Sequence, residues 1–319
     1  MIFSSKQSLP IMTITLNPAI DLHGNLAKMA VNQVNRMHAG RAIAAGKGVN
    51  VAAVIASLGG DVTASGWLGE RNESAFAAYF KNARISDRFI RVAGDTRTNI
   101  KVVEANQDVT ELNFPGFSVQ PEHIKQLFAQ IENIQIPSLI VLAGSLPGAI
   151  TPCIYAELIA ALHKKGHKVF FDSSGRAFAE GIKSAPYLIK PNIHELSEWA
   201  GRSLISFADK KYAARQLLAL GVKHILLSEG EQGLLWFSEK GILQAVPPEM
   251  AVTSTVGAGD SLLAAFVWAL ANQCSEIDSL KFAVAVSALS VTQVGVADIK
   301  RESLQALLSQ VVINTLEYD

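Results

Sequence analysis

Leu139-Ile140-Val141-Leu142, a helical pattern from Pro152 to Lys164, Lys168-Val169-Phe170-Phe171 and Tyr187-Leu188-Ile189 alternate short β-rich runs with helix. Such alternation is the sequence form of βαβ units and predicts an α/β fold with a mainly parallel sheet flanked by helices. Local signals agree. Thr151-Pro152 offers an N-cap and a first-turn proline, Gly166 a stop, and Ser206 with Asp209 a capping box before a helix ended by Gly221.

Working outward toward the N-terminus, Met12 to Leu16 reads as a strand, whereas Leu22 to Ala45 is turn-rich and lacks a helical period. Thr98 to Val103 and Val109 to Phe114 flank Ala105-Asn106-Gln107-Asp108 and read as a β-hairpin. Segments of about 22–45 and 96–115 are expected to pair into a small sheet over the edge of the parallel one, within a domain spanning 12–319. Residues 1–11 are expected to form a flexible extension, with no secretion signal.

The chain has 319 residues, and Lys+Arg 28 balances Asp+Glu 28, so no global field draws it to nucleic acid or membrane. A small ligand is the expected partner. Cys153 and Cys274 lack CxxC spacing, which argues against a disulfide framework or zinc site and fits the cytoplasm. Apolar runs around Leu262 to Ala271 and Ala283 to Leu289 fall short of the roughly 20 residues that cross a bilayer, and read as core helices.

Ser254-Thr255-Val256-Gly257-Ala258-Gly259-Asp260 precedes the first of those helices. Glycines at a helix start bring unpaired amides to an anion. A carboxylate there either caps the helix or takes a proton from a hydroxyl attacking a phosphate. Asn17-Pro18-Ala19-Ile20-Asp21 follows the first strand, where ligands of open α/β sheets gather; it reads as a turn or as a hydroxyl reader through Asp21. Ala45-Gly46-Lys47-Gly48-Val49-Asn50 opens a helix but is not a P-loop, because Gly48 follows Lys47.

Thr96-Arg97-Thr98-Asn99 carries a guanidinium and an amide suited to phosphate and hydroxyls, or is a solvated strand end. Ala143-Gly144-Ser145-Leu146-Pro147-Gly148 lines the same crevice or is a plain turn. In Lys190-Pro191-Asn192-Ile193-His194-Glu195, Asn192 and Glu195 share a helix face, forming either a capping box or a water-mediated magnesium site. Ser228-Glu229-Gly230-Glu231-Gln232-Gly233 links two strands with glycines that would let a nucleotide near the backbone.

In this order, NPAID, AGKGVN, TRTNIK, GSLP, KPNIHE, SEGEQG and STVGAGDS make the chain from Asn17 to Ser261 resemble the ribokinase-like, or PfkB, sugar kinases. The resemblance implies a Rossmann-like core with a β-sheet lid, and transfer of the ATP γ-phosphoryl group to a sugar-phosphate hydroxyl. By motif position, Asp260 would be the base, and the amides of Val256, Gly257, Ala258 and Gly259 the anion hole. Asn192 and Glu195 would organise Mg²⁺ with ATP; Lys190, Ser228, Gly230 and Gly233 would line the nucleotide site. Asp21, Gly46, Lys47, Asn50, Arg97, Asn99 and Ser145 would hold the sugar phosphate.

The resemblance leans to the branch that phosphorylates fructose 1-phosphate at its 6-hydroxyl, with tagatose 6-phosphate or fructose 6-phosphate as alternative acceptors. Ala149, Glu229 and Gly175-Arg176 depart from the family pattern and touch pocket details. A dinucleotide-binding dehydrogenase fails on spacing, since Leu262 stands where a third glycine is needed. A silent sugar-phosphate sensor is disfavoured by Asp260, Asn192 and Glu195 together. A lid edge with unsatisfied backbone groups suggests pairing across a homodimer.

Overall fold

The computed structural model describes residues 9–106, 108–293, 299 and 301–316. From the N-terminus run β1 (Ile11–Thr15), β2 (Ala19–Leu26), β3 (His38–Ala45), α1 (Lys47–Ser57), β4 (Val62–Gly69), α2 (Ser74–Ala83), β5 (Ser86–Asp87) and β6 (Ile90–Val92). There follow β7 (Arg97–Glu104), β8 (Val109–Asn113), α3 (Pro121–Glu132), β9 (Leu139–Ala143), α4 (Ile154–Lys164), β10 (Lys168–Asp172), α5 (Gly175–Gly181) and β11 (Leu188–Ile189). The remainder holds α6 (Ile193–Ala200), α7 (Phe207–Ala219), β12 (His224–Ser228), β13 (Leu234–Ser238), β14 (Gly241–Val246), α8 (Ala258–Ala271), α9 (Glu276–Ser290), α10 (Arg301–Leu308) and β15 (Val312–Leu316).

The large sheet has the order β15-β14-β13-β12-β11-β10-β9-β1-β4-β5, with β6 also on β4. It is parallel from β12 to β5 and antiparallel from β12 to β15. Its central strands are apolar at nearly every position because both faces are covered. In β9, Leu139, Val141 and Ala143 enter the core beneath α1, α8 and α9, while Ile140 and Leu142 enter the core beneath α4. Strand alternation thus divides one apolar run between two cores.

Helix α8 is buried almost all round, which suits a helix wedged between others. Trp268 stacks on Phe282 of α9 at 5.1 Å, and Phe266 meets Trp236 of β13 edge-on at 5.4 Å. The separate small sheet has the order β3-β2-β7-β8. It draws β2 and β3 from the turn-rich N-terminal stretch and β7 and β8 from the hairpin, with β2 and β7 parallel.

Two boundaries differ from expectation. The strand begins before residue 12: β1 starts at Ile11, Pro10 O accepts from Leu139 N of β9 at 2.9 Å, and Leu9 N donates to Ala271 O at the end of α8 at 3.1 Å. Residues 1–8 of the expected extension lie outside the described residues. Helix α4 begins at Ile154 rather than Pro152, because Thr151 Oγ1 contacts Cys153 Sγ at 3.1 Å instead of capping the helix. The Ser206–Asp209 capping box forms as expected. Cys153 and Cys274 are both free thiols, and no helix of the described residues is long and apolar enough to cross a membrane.

Candidate active site

The carboxyl ends of β1, β9, β10 and β11 bring their following loops toward the N-termini of α1 and α8. Helix α1 sits tightly on β1. A Cβ at Gly48 would stand 2.3 Å from Thr15 Oγ1, and one at Gly46 would stand 3.1 Å from the Pro18 backbone. Both glycines therefore serve helix–strand packing. Close packing in turn delivers Lys47 and Asn50, on the first turn of α1, to the next strand ends.

At the end of β10, Asp172 is buried, with Lys47 Nζ at 2.8 Å and Lys190 Nζ at 3.2 Å. Burial by itself would raise its carboxyl, but Lys190 and Lys47 hold it below the usual aspartate value. Lys47 also lies 3.7 Å from Glu195. Desolvation pulls its ammonium down, yet Asp172, Glu195 and Asp260 outweigh that and hold it well above the ordinary lysine value. Lys47 is thus an ion-paired hub between Asp172 and Glu195.

Asp260 is buried on the first turn of α8, and Oδ2 accepts from Asn50 Nδ2 at 2.8 Å. Among the described residues no side-chain hydrogen bond caps α8, whose N-cap is Gly257, and the bond made by the Asp260 carboxylate is the one to Asn50. Burial and then the Asp172 charge push its pKa up to about 6, against the pull of Lys47, Asn50 and Lys190. Nearby, the Gly257 and Gly259 amides have no partner among the described residues, whereas Val256 N and Ala258 N make only 3.3 Å bonds to Ser254 Oγ and Thr255 O. A Cβ at Gly259 would lie 3.0 Å from Lys190 Nζ, which places that ammonium beside the helix N-terminus. Open amides, a helix N-terminus and a lysine together favour an anion.

On the small-sheet side, Asp21 accepts from Asn99 Nδ2 at 3.0 Å and pairs with Lys101 at 2.8 Å. Among the described residues Asn99 Oδ1 is buried without a hydrogen-bond partner, an acceptor open to a donor. Arg97 donates to the Pro18 and Asn17 carbonyls at 3.3 and 3.2 Å, and burial lowers its pKa. Asn17 Nδ2 reaches Ser145 Oγ at 3.1 Å, so the Ser145 hydroxyl joins the β9 loop to the β1 loop.

The third group surrounds the α6 N-terminus. Asn192 and Glu195 form a reciprocal capping box: Glu195 N donates to Asn192 Oδ1 at 2.8 Å, and Asn192 N to Glu195 Oε2 at 2.9 Å. Ser228 is bridged to Asn192 in parallel register. Gly230 opens a tight turn in the left-handed region, φ 61°. Gly233 is required by packing, since a Cβ there would lie 2.2 Å from Ala245 O. No group of three or more His, Cys, Asp and Glu able to hold a metal occurs among the described residues.

Two side chains central to this geometry had no assigned role in the sequence reading, Asp172 and Lys101. Asp172 ends an apolar strand at the sheet's carboxyl edge, and Lys101 shares the face of Asn99 by strand alternation; those positions were the available signals.

The chain matches the family described as pfkB family carbohydrate kinase over residues 7–302. It is 43% identical over 307 residues to a 1-phosphofructokinase of Vibrio cholerae, covering 96% of this chain and 97% of that one. Among solved structures it resembles Escherichia coli phosphofructokinase-2 in complex with fructose-6-phosphate (TM-score 0.87, 27% identity, 95% and 99% coverage). The tetrameric inhibited form of that enzyme matches as well (TM-score 0.87, 28% identity, 95% and 99% coverage). This chain belongs to the pfkB family of carbohydrate kinases.

Proposed function

We propose that the protein transfers the γ-phosphoryl group of ATP to the 6-hydroxyl of fructose 1-phosphate, giving ADP and fructose 1,6-bisphosphate. The observation that carries this reading is Asp260: a buried carboxylate with a raised pKa, held by Asn50 beside open amides at the N-terminus of α8. It takes the hydroxyl proton as the sugar oxygen attacks phosphorus and the bond to ADP breaks. The Gly257 and Gly259 amides, with Lys190, face the charge on the transferring group. Lys47 spans Asp172 and Glu195 at the edge of Asp260's field and neutralises charge between the subsites.

Lys190, Ser228 and Gly230 line the nucleotide side of this reading; Gly233 shapes the same turn. A magnesium ion brought by ATP keeps most of its waters and needs one or two carboxylates. Glu195 Oε1 lies outside the capping box and, although Lys47 stands 3.7 Å away, would accept from an ion-bound water; Asn192 Oδ1 is held in the cap, and its Nδ2, a donor, would face a phosphate oxygen rather than the cation. When bound, the ion screens phosphate charge. Asp21, Asn99 and Arg97 form the acceptor side, and the small sheet shields the reaction from water.

Acceptor choice tests the assignment. In a coupled ATP assay, fructose 1-phosphate should give the highest kcat/KM among fructose 1-phosphate, tagatose 6-phosphate and fructose 6-phosphate. A higher value for either 6-phosphate would move the protein to another branch. Arg97→Ala should raise the acceptor KM by ~10–150-fold, the equivalent of a lost charge-assisted hydrogen bond, with KM for ATP little changed. Equal effects on both would place Arg97 outside the acceptor side.

The small sheet also supports a homodimer. Leu22, Ile100 and Leu112 align across β2, β7 and β8 on one face, running from the core to an open edge where Leu112 and Phe114 are exposed. A second copy would cover that edge. Leu112→Glu should shift the sedimenting species from dimer to monomer; a monomeric wild type would refute it.

A further inference from the structure

Glu229 departs from the family pattern at the turn assigned to the nucleotide, and it is nearly buried. Its carboxylate pairs with Lys210 on the first turn of α7, itself only 13% exposed. The pair closes a ring of contacts around the nucleotide side. Ser228 is bridged to Asn192, which starts α6; beyond the end of α6, Arg202 pairs with Asp209 at 2.7 Å; and Lys210, the next residue, returns to Glu229.

The turn has its own bonds, Glu229 N to Gly233 O at 2.9 Å and Gly233 N to Gly230 O at 3.1 Å. Gly233 presses against β14 on one side. On the other side the ion pair ties this turn to α7.

We propose that Lys210 and Glu229 form a positioning pair for ATP, pinning the turn that carries Gly230 and masking a carboxylate that would otherwise repel a polyphosphate. The proposal rests on the reading of Ser228 to Gly233 as the nucleotide side. Removing the two partners should have unequal effects. Without Lys210 a bare carboxylate stands one residue from Ser228 and Gly230; without Glu229 a bare ammonium remains, which attracts phosphate while the turn loosens. A pair that served stability alone would show no such preference for one substrate.

The test is steady-state kinetics with ATP varied at saturating fructose 1-phosphate, and with the acceptor varied at saturating ATP. Lys210→Met should raise KM for ATP ~10-fold, more than Glu229→Gln does, with kcat and the acceptor KM changed by less than about twofold. Charge reversal, Lys210→Glu with Glu229→Lys, should recover part of the ATP affinity lost in Lys210→Glu alone. If Lys210→Met does not fold, Lys210→Gln, which keeps a donor, should show the same selective rise at smaller size. Unmoved KM for ATP in folded variants would overturn the proposal, as would a joint fall of all constants with the thermal midpoint. A wild type that fails to use ATP would instead overturn the kinase reading of the site.

Discussion

Asp260→Asn should lower kcat by ~10²–10⁴-fold while ATP and fructose 1-phosphate still bind, because the amide keeps the shape but cannot accept the proton. The hydrogen bond from Asn50 can be retained by the amide oxygen, so binding geometry should survive. Wild-type turnover would remove Asp260 from the chemistry. The pH profile gives a second measure. With the carboxyl at about 6, the base is ionised above that value and protonated below it, so wild-type kcat/KM should fall about tenfold per pH unit on the acid side. The phosphate of the acceptor titrates near the same pH, about 6. The residual activity of Asp260→Asn is therefore the reference: its profile should retain any substrate step and lose the one-proton step of the enzyme.

Asp172→Asn should cost ~3–5 kcal/mol of stability at neutral pH, the range found when one partner of a buried ion pair is removed. The lower end is favoured, because Lys47 is 36% exposed and solvent screens its share, whereas Lys190 is 6% exposed. The folded carboxyl lies below its ordinary value. Its stabilisation is therefore present above the unfolded pKa of about 4 and is lost as pH falls through the folded value. Guanidinium unfolding should show a wide gap between wild type and Asp172→Asn at pH 7, narrowing below pH ~4. Equal stability at pH 7 would mean that the two lysines do not depend on Asp172.

Periodicity and turn chemistry made most of the layered fold legible. The apolar runs at Leu139, Lys168 and Tyr187 became β9, β10 and β11 because continuous hydrophobicity suits a strand covered on both faces. Boundaries were less legible. Thr151 has an N-cap composition, yet its hydroxyl meets Cys153, and propensity cannot tell which local bond wins.

The sequence by itself determined the α/β class, the two stretches from which the small sheet is drawn and the motif that carries Asp260, since these depend on spacing within short stretches; that the first stretch supplies two strands, β2 and β3, was visible only in the structure. Tertiary structure alone decided which charges meet. Asp172 ends β10, Lys47 opens α1 and Lys190 follows β11, and the parallel register of β10 and β11 with α1 packed across β1 brings both ammonium groups within 3.2 Å of Asp172. Coulomb energy depends on distance and burial, neither of which a linear chain records. For the same reason nothing along the chain shows that Lys47 is bound between Asp172 and Glu195 in the folded protein.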